Sequence, residues 1–117
     1  VWCPKCFLDR GHTPNTFPYG VGATFEGGSY RAGASPFGVL DMAGNVSEWV
    51  SDWYSEDYYS ISPYLNPTGP AMGSLKVCRG GNYDLYWYFL RTAFRDSPDP
   101  DTAGVAIGFR CASPSGN

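Results

Sequence analysis

Glycine and proline together occupy 25 of the 117 positions, about a fifth of the chain. Proline removes an amide donor and glycine carries the largest backbone entropy, so a chain punctuated this often cannot be mostly helix. Twenty aromatic residues, about a sixth of the chain, exclude the disordered class, which is poor in them. The length is that of one ordinary domain, 1–117. Eight Lys and Arg stand against 11 Asp and Glu, giving a net charge of −3. No basic stripe is present, so no nucleic-acid partner is expected. The longest unbroken apolar run, Leu85 to Leu90, is six residues, far short of the roughly 20 a membrane helix needs, and no membrane span is expected. A domain this small buries about two thirds of its extended-chain surface, so something besides an apolar core must help hold it together.

The four cysteines are one candidate for that help. Cys3 and Cys6 form a C-P-K-C turn, while Cys78 and Cys111 are lone residues in apolar segments far downstream. Disulfides would place the chain in an oxidising compartment, whereas four thiolates on zinc would permit a reducing one. A zinc ribbon normally supplies a second C-x-x-C, which is missing, so one or two disulfides, or buried free thiols, are the expectation, a disulfide joining Cys111 to Cys3, Cys6 or Cys78. An extracellular location, or a cell or virus surface, follows if disulfides form. The start at Val1, without basic or apolar leader regions, suggests a chain cut from something longer.

Residues 1–34 carry nine Gly or Pro and no sustained period, and read as loop. In the next segment Val46, Trp49, Val50 and Trp53 fit a helical template while Trp49, Ser51 and Trp53 fit alternation, so periodicity leaves helix and strand tied. Residues 55–74 end in Asn66-Pro67-Thr68-Gly69-Pro70, a run of turn formers, and read as a long loop. Residues 75–81, 90–95 and 105–111 are short apolar or Arg-flanked runs bounded by Gly, Pro and Asp, and predict three strands.

Residues 35–54, SPFGVLDMAGNVSEWVSDWY, closely resemble the central signature of the formylglycine-generating-enzyme (sulfatase-modifying factor) family. Asn66 to Pro70, Val77-Cys78-Arg79-Gly80-Gly81, Leu90-Arg91-Thr92-Ala93-Phe94-Arg95 and Ile107-Gly108-Phe109-Arg110-Cys111 follow in that family's order, so the resemblance spans residues 35–112. Five ordered motifs are far more specific than one. The resemblance implies an α+β fold, mostly β and irregular: a C-type-lectin-like arrangement of small twisted antiparallel sheets and long loops. It also implies that Glu48 to Trp53 is a strand. The family's helical upstream part has no counterpart here, so the chain is a minimal version or a fragment.

Enzymes of this family oxidise a substrate cysteine with a cysteine pair that binds copper and lies between the R-G-G and R-x-A-x-R motifs. Soft Cu(I) requires thiolates. The corresponding stretch here, residues 82–89, contains no cysteine, so neither copper nor the oxidase activity is expected. A related iron-dependent branch draws three histidines from a helical partner domain, and His12 is the sole histidine of this chain, which reads as a solvated loop residue. The resemblance further assigns a structural calcium site to Asp41, Gly44, Val46 and Glu48. Positions 44, 46 and 48 share one face of a strand, and carboxylate and carbonyl oxygens suit that hard ion. Against it, Asp41 could cap a turn and Glu48 could pair with an arginine such as Arg79. The other arginines, with Asp99 and Asp101, read as framework that ties loops to strands.

Five of the seven residues from Tyr83 to Phe89 are aromatic. Aromatic side chains give large contact area for little rotamer entropy, and such a stretch reads like a paratope. Alternatively it is a strand with Trp87 and Phe89 facing the core. The chain also resembles the variable proteins of diversity-generating retroelements, which vary positions between the R-G-G and closing G-F-R motifs of the same scaffold by mutating adenines. Tyr83, Asp84, Leu85, Tyr86, Tyr88, Phe89, Phe94 and Asp96 are all reachable from an Asn codon and fall there. The resemblance therefore implies a non-catalytic domain with those eight residues as the ligand surface and Trp87 supporting it from behind. Its partner is expected to be a protein or cell-surface molecule. The rival is the C-terminal part of a formylglycine-type oxidase or iron enzyme.

Overall fold

The computed structural model describes residues 22–113; Cys3, Cys6 and His12, and most of the loop expected over 1–34, lie outside them. The strand β1, Ser47–Trp53, is the centre of a three-stranded sheet ordered β2-β1-β3, with β2 at Lys76–Arg79 and β3 at Ile107–Gly108. Aromatic and β-branched residues at Trp49, Val50 and Trp53 suit a pleated, half-buried surface, and the tie between helix and strand falls to strand. β1 and β2 run antiparallel with Glu48 opposite Arg79 and Trp49 opposite Cys78, and the register then shifts before Trp53 meets Lys76. β1 and β3 run parallel, Ser47 beside Ile107 and Glu48 beside Gly108. The sheet is therefore mixed rather than purely antiparallel.

Residues 90–95 are not a strand. Leu90 closes a 3-10 turn at Trp87–Leu90, and the amide of Phe94 donates to the Arg91 carbonyl at 2.9 Å in a further turn. The carbonyls a ladder would need are taken by a side chain: Arg79 Nη1 donates to Thr92 O at 2.7 Å and Phe94 O at 3.2 Å. Only at Asp96 does the chain regain the sheet, where it and Cys78 exchange two backbone hydrogen bonds of 2.9 Å and cover the outer edge of β2. The loop over 55–74 holds one helical turn, α1 at Tyr58–Ile61, too short to show a period in the sequence.

The apolar centre is small. Val77 and Cys78 are 2% and 0% exposed, and Leu90 and Ser47 are also buried. Arginine clamps supplement it, as the framework reading expects. Arg95 donates to the carbonyls of Ser55 and Glu56 at 2.8 and 3.0 Å and lies over the rings of Tyr54 and Tyr59. Charge-assisted bonds of this kind are about twice as strong as neutral ones. They tie the loop holding α1 to the segment following Leu90.

The expected link between Cys111 and Cys78 is not formed, and both are free thiols. Cys78 sits on β2 and Cys111 follows β3, with β1 between them. Two strand spacings are about 9–10 Å, beyond the roughly 7 Å that a disulfide can bridge between Cα atoms. Among the described residues no helix is long and apolar enough to cross a membrane, and no three His, Cys, Asp or Glu cluster as metal ligands.

Candidate functional site

Two regions gather the residues singled out by the sequence. The first is the aromatic stretch. Gly80 and Gly81 both have positive φ, 87° and 65°, and turn the chain sharply after β2. Asn82 then anchors it: its Nδ2 donates to Ser47 Oγ at 3.2 Å and its Oδ1 accepts the Asp84 amide at 3.0 Å. Tyr83 donates its amide to the Asn45 carbonyl at 3.1 Å. The 3-10 turn that follows buries Leu90 and leaves Tyr86, Trp87 and Tyr88 exposed.

Exposed Tyr86 and Tyr88 form a continuous chain of rings with half-buried Phe89 and Phe94. Tyr86 and Tyr88 stack with centroids 5.5 Å apart and planes within 8°. Tyr88 meets Phe89 at 4.5 Å, and Phe89 meets Phe94 edge-on at 4.9 Å. Tyr86, Tyr88, Phe89 and Phe94 are thus brought together, with Asp84 exposed nearby in the chain and Tyr83 and Leu85 half-buried. Asp96 is drawn instead into the bridge beside Cys78, its carboxylate accepting the Ser97 amide at 2.9 Å.

Trp87 departs from the expectation that it supports the surface from behind. It is 43% exposed and meets Tyr88 edge-on at 5.9 Å, so it belongs to the surface itself. The strand alternation that would have turned it inward does not apply to a 3-10 turn, whose anchor is Leu90. Trp87→Ala is expected to cost about 1–2 kcal/mol in urea unfolding, below the roughly 3–5 kcal/mol of a buried aromatic. A loss in the upper range would place it in the core after all.

The second region is the loop entering β1. Asp41 and Asn45 hold positive φ, 55° and 65°, uncommon for residues with a side chain. Asp41 Oδ2 accepts the Gly28 amide at 2.6 Å, and Asn45 exchanges two hydrogen bonds with the backbone of Phe25. Gly44 is buried and donates its amide to the Gly80 carbonyl at 2.8 Å. Glu48 is paired, but with Arg110 rather than Arg79: Nε and Nη2 of Arg110 form a fork with its two carboxylate oxygens. That hydrogen-bonded fork holds the guanidinium pKa above its ordinary value. The parallel pairing carries the signal that sequence reading lacked, because Gly108 sits beside Glu48 and side chains alternate, so Arg110 projects on the face of Glu48.

The donor set does not fit calcium as it stands. Both Glu48 oxygens are taken by a cation, and one Asp41 oxygen already accepts a backbone amide. A shallow groove of about 410 Å³, lined by Trp49, Val50, Ser51, Lys76 and Pro100, lies where the β1 register shifts. It draws on none of the aromatic stretch.

A model of the sulfatase-modifying factor enzyme 1-like domain matches residues 13–114. The formylglycine-generating enzyme of Streptomyces coelicolor is 41% identical over 114 residues, covering 93% of this chain and 36% of that protein. This chain therefore spans about a third of that relative's length. Among solved structures, PvdO from Pseudomonas aeruginosa superposes with a TM-score of 0.64 at 31% identity, covering 74% of this chain and 33% of that one. Treponema denticola variable protein 1 does so with a TM-score of 0.59 at 28% identity, covering 74% and 31%. The similarity therefore embraces an enzyme and a variable protein on one C-type-lectin-like scaffold.

Proposed function

This chain belongs to the sulfatase-modifying factor enzyme 1-like family, and from that premise we propose that it is a non-catalytic binding domain that displays an aromatic surface, in the manner of a diversity-generating retroelement variable protein. The observation that carries the reading is the ring chain of exposed Tyr86 and Tyr88 and half-buried Phe89 and Phe94, with exposed Trp87 beside it, held on a turn anchored by one buried residue, Leu90. Three features suit that use. The rings stand on a framework of backbone and arginine bonds that does not depend on their identity. Aromatic residues supply contact area at low entropic cost. The stretch in which the family's enzymes carry their copper-binding thiols holds no cysteine in this chain. Likeness to Treponema denticola variable protein 1 supports the same direction.

The proposed ligand is a protein or a cell-surface molecule, because a ring chain of this kind offers area rather than a reaction chamber. The experiment is a quadruple variant, Tyr83, Asp84, Tyr86 and Tyr88 all changed to Ser. The variant is expected to stay folded, since Asp84, Tyr86 and Tyr88 are exposed, where substitutions cost about 0.5 kcal/mol or less each, and half-buried Tyr83 adds about 1 kcal/mol. A partner captured by the wild-type chain from a display library of surface proteins is expected to bind the variant at least about 30-fold more weakly, the loss of a single hot-spot tyrosine. A variant that does not fold would make the stretch core, and one that binds unchanged would move the ligand site elsewhere. The genomic DNA gives a second check: an imperfect repeat of the coding region, differing at adenines and adjacent to a reverse-transcriptase gene.

The 41% identity to a formylglycine-generating enzyme favours the rival reading, in which catalytic groups lie on another part of the polypeptide. Copper or iron titration of the full-length polypeptide separates the two: the rival reading expects stoichiometric, high-affinity metal there, and the binding-domain reading expects none.

A further inference from the structure

We infer that the Arg110 guanidinium is the built-in cation of the loop entering β1, engaging with its N–H groups the Glu48 carboxylate that the family resemblance assigns to calcium, together with the Leu40 and Asp41 carbonyls. Four acceptors converge on this one side chain. Both Glu48 carboxylate oxygens take the Nε and Nη2 donors, the Leu40 carbonyl accepts from Nη1 at 2.9 Å, and the Asp41 carbonyl accepts from Nη2 at 3.1 Å. A carboxylate together with main-chain carbonyls is the kind of donor set a calcium loop offers. Here a fixed positive charge already stands at it.

The Glu48 carboxylate cannot serve both cations well. A divalent ion on Glu48 would sit against a guanidinium hydrogen-bonded to that carboxylate, and like charges at contact distance repel strongly where solvent is partly excluded. Arginine also never loses its proton in a protein, so the charge is permanent. Asp41 and Asn45 adopt left-handed backbone conformations that surrounding contacts must hold, and the bonds from Arg110 to the Leu40 and Asp41 carbonyls are among those contacts. Arg110 reaches it because β3 lies parallel to β1, which sets Glu48 beside Gly108 and Arg110 one same-face step further on. The consequence is a loop whose order does not depend on the calcium concentration around it.

The test compares melting temperatures of wild type, Arg110→Ala and the Arg110→Ala, Glu48→Gln double variant, each with a chelator and with millimolar calcium. Wild type is expected to shift by less than about 1 °C. Arg110→Ala exposes Glu48 and the two carbonyls, and is expected to melt lower with chelator and recover about 4 °C or more with calcium. The double variant should lose that recovery. A folded Arg110→Ala protein that gains nothing from calcium would overturn the inference. Terbium titration of the wild-type chain, read by tryptophan-sensitised emission, needs no variant to fold. No saturable signal is expected, and one displaced by calcium and removed by Glu48→Gln would overturn the inference independently.

Discussion

Gly81→Ala is expected to lower stability by about 2–4 kcal/mol in urea unfolding, a shift of roughly 30- to 1,000-fold in the folding equilibrium. Two effects add at this position. Gly81 has φ of 65°, a conformation that costs a residue with a side chain about 1 kcal/mol or more. A methyl group there would also lie 2.5 Å from Cδ2 of Leu90 and 3.5 Å from the Phe89 carbonyl oxygen. Leu90 is 5% exposed, so it has little room to retreat. Leu90→Ala alone should cost about 2–5 kcal/mol as a cavity, but in the double variant the clash is gone. The two losses should therefore fall short of additivity by about 1 kcal/mol or more, because the side chains are in contact. A Gly81→Ala protein within about 0.5 kcal/mol of wild type would mean that this turn does not seat the aromatic stretch on Leu90 as described.

How much of this was legible beforehand differs by element. β1 could be read once the family signature decided between two periods that Trp49 and Trp53 satisfy equally, and the structure places it at Ser47–Trp53. The runs 75–81 and 105–111 contain β2 and β3, but only four and two residues of them pair. Glycine at 80, 81 and 108 limits how far those strands extend. The run 90–95 misled because apolar residues flanked by arginines look the same in a strand and in a clamped turn. What separates them is where Arg79 and Arg95 send their donors, and this is a tertiary fact. Trp87 was misplaced for a similar reason, since period-two reasoning has no meaning inside a 3-10 turn.

The site was more legible than its charge pairing. The ring chain follows from composition within one short stretch, and four of the eight expected surface residues meet there ring to ring or through neighbouring rings. Glu48 was recognised as a carboxylate in need of a cation, and an arginine was considered. Arg110 lies 62 residues away, and only the parallel register of β3 brings it there. Local sequence carries no trace of such a pairing.

Native protein treated with iodoacetamide at pH 8 is expected to be labelled at Cys111 and spared at Cys78 by a factor of at least about 100. The two thiols differ in access and, for Cys78, in chemistry. Burial, and then the nearby Asp96 carboxylate, push the Cys78 thiol up to about 11. At pH 8 about one molecule in a thousand then carries the thiolate, against roughly one in four for a free thiol in water, and the thiolate is the species that reacts. Cys78 is also fully covered while Cys111 is exposed, which widens the ratio. In strong denaturant the difference should vanish. The raised value has a consequence for stability whose sign is fixed: the folded chain holds this proton more tightly than the unfolded one. The contribution is therefore complete below the ordinary value of about 9 and lost as pH rises towards about 11, so wild type should lose melting temperature over that interval more steeply than Cys78→Ala. Peptide mass spectrometry showing equal labelling of the two cysteines in folded protein would mean that β2 opens freely to solvent. A mixed disulfide recovered from Cys78 under native conditions would contradict its place beside Asp96 at the centre of the fold.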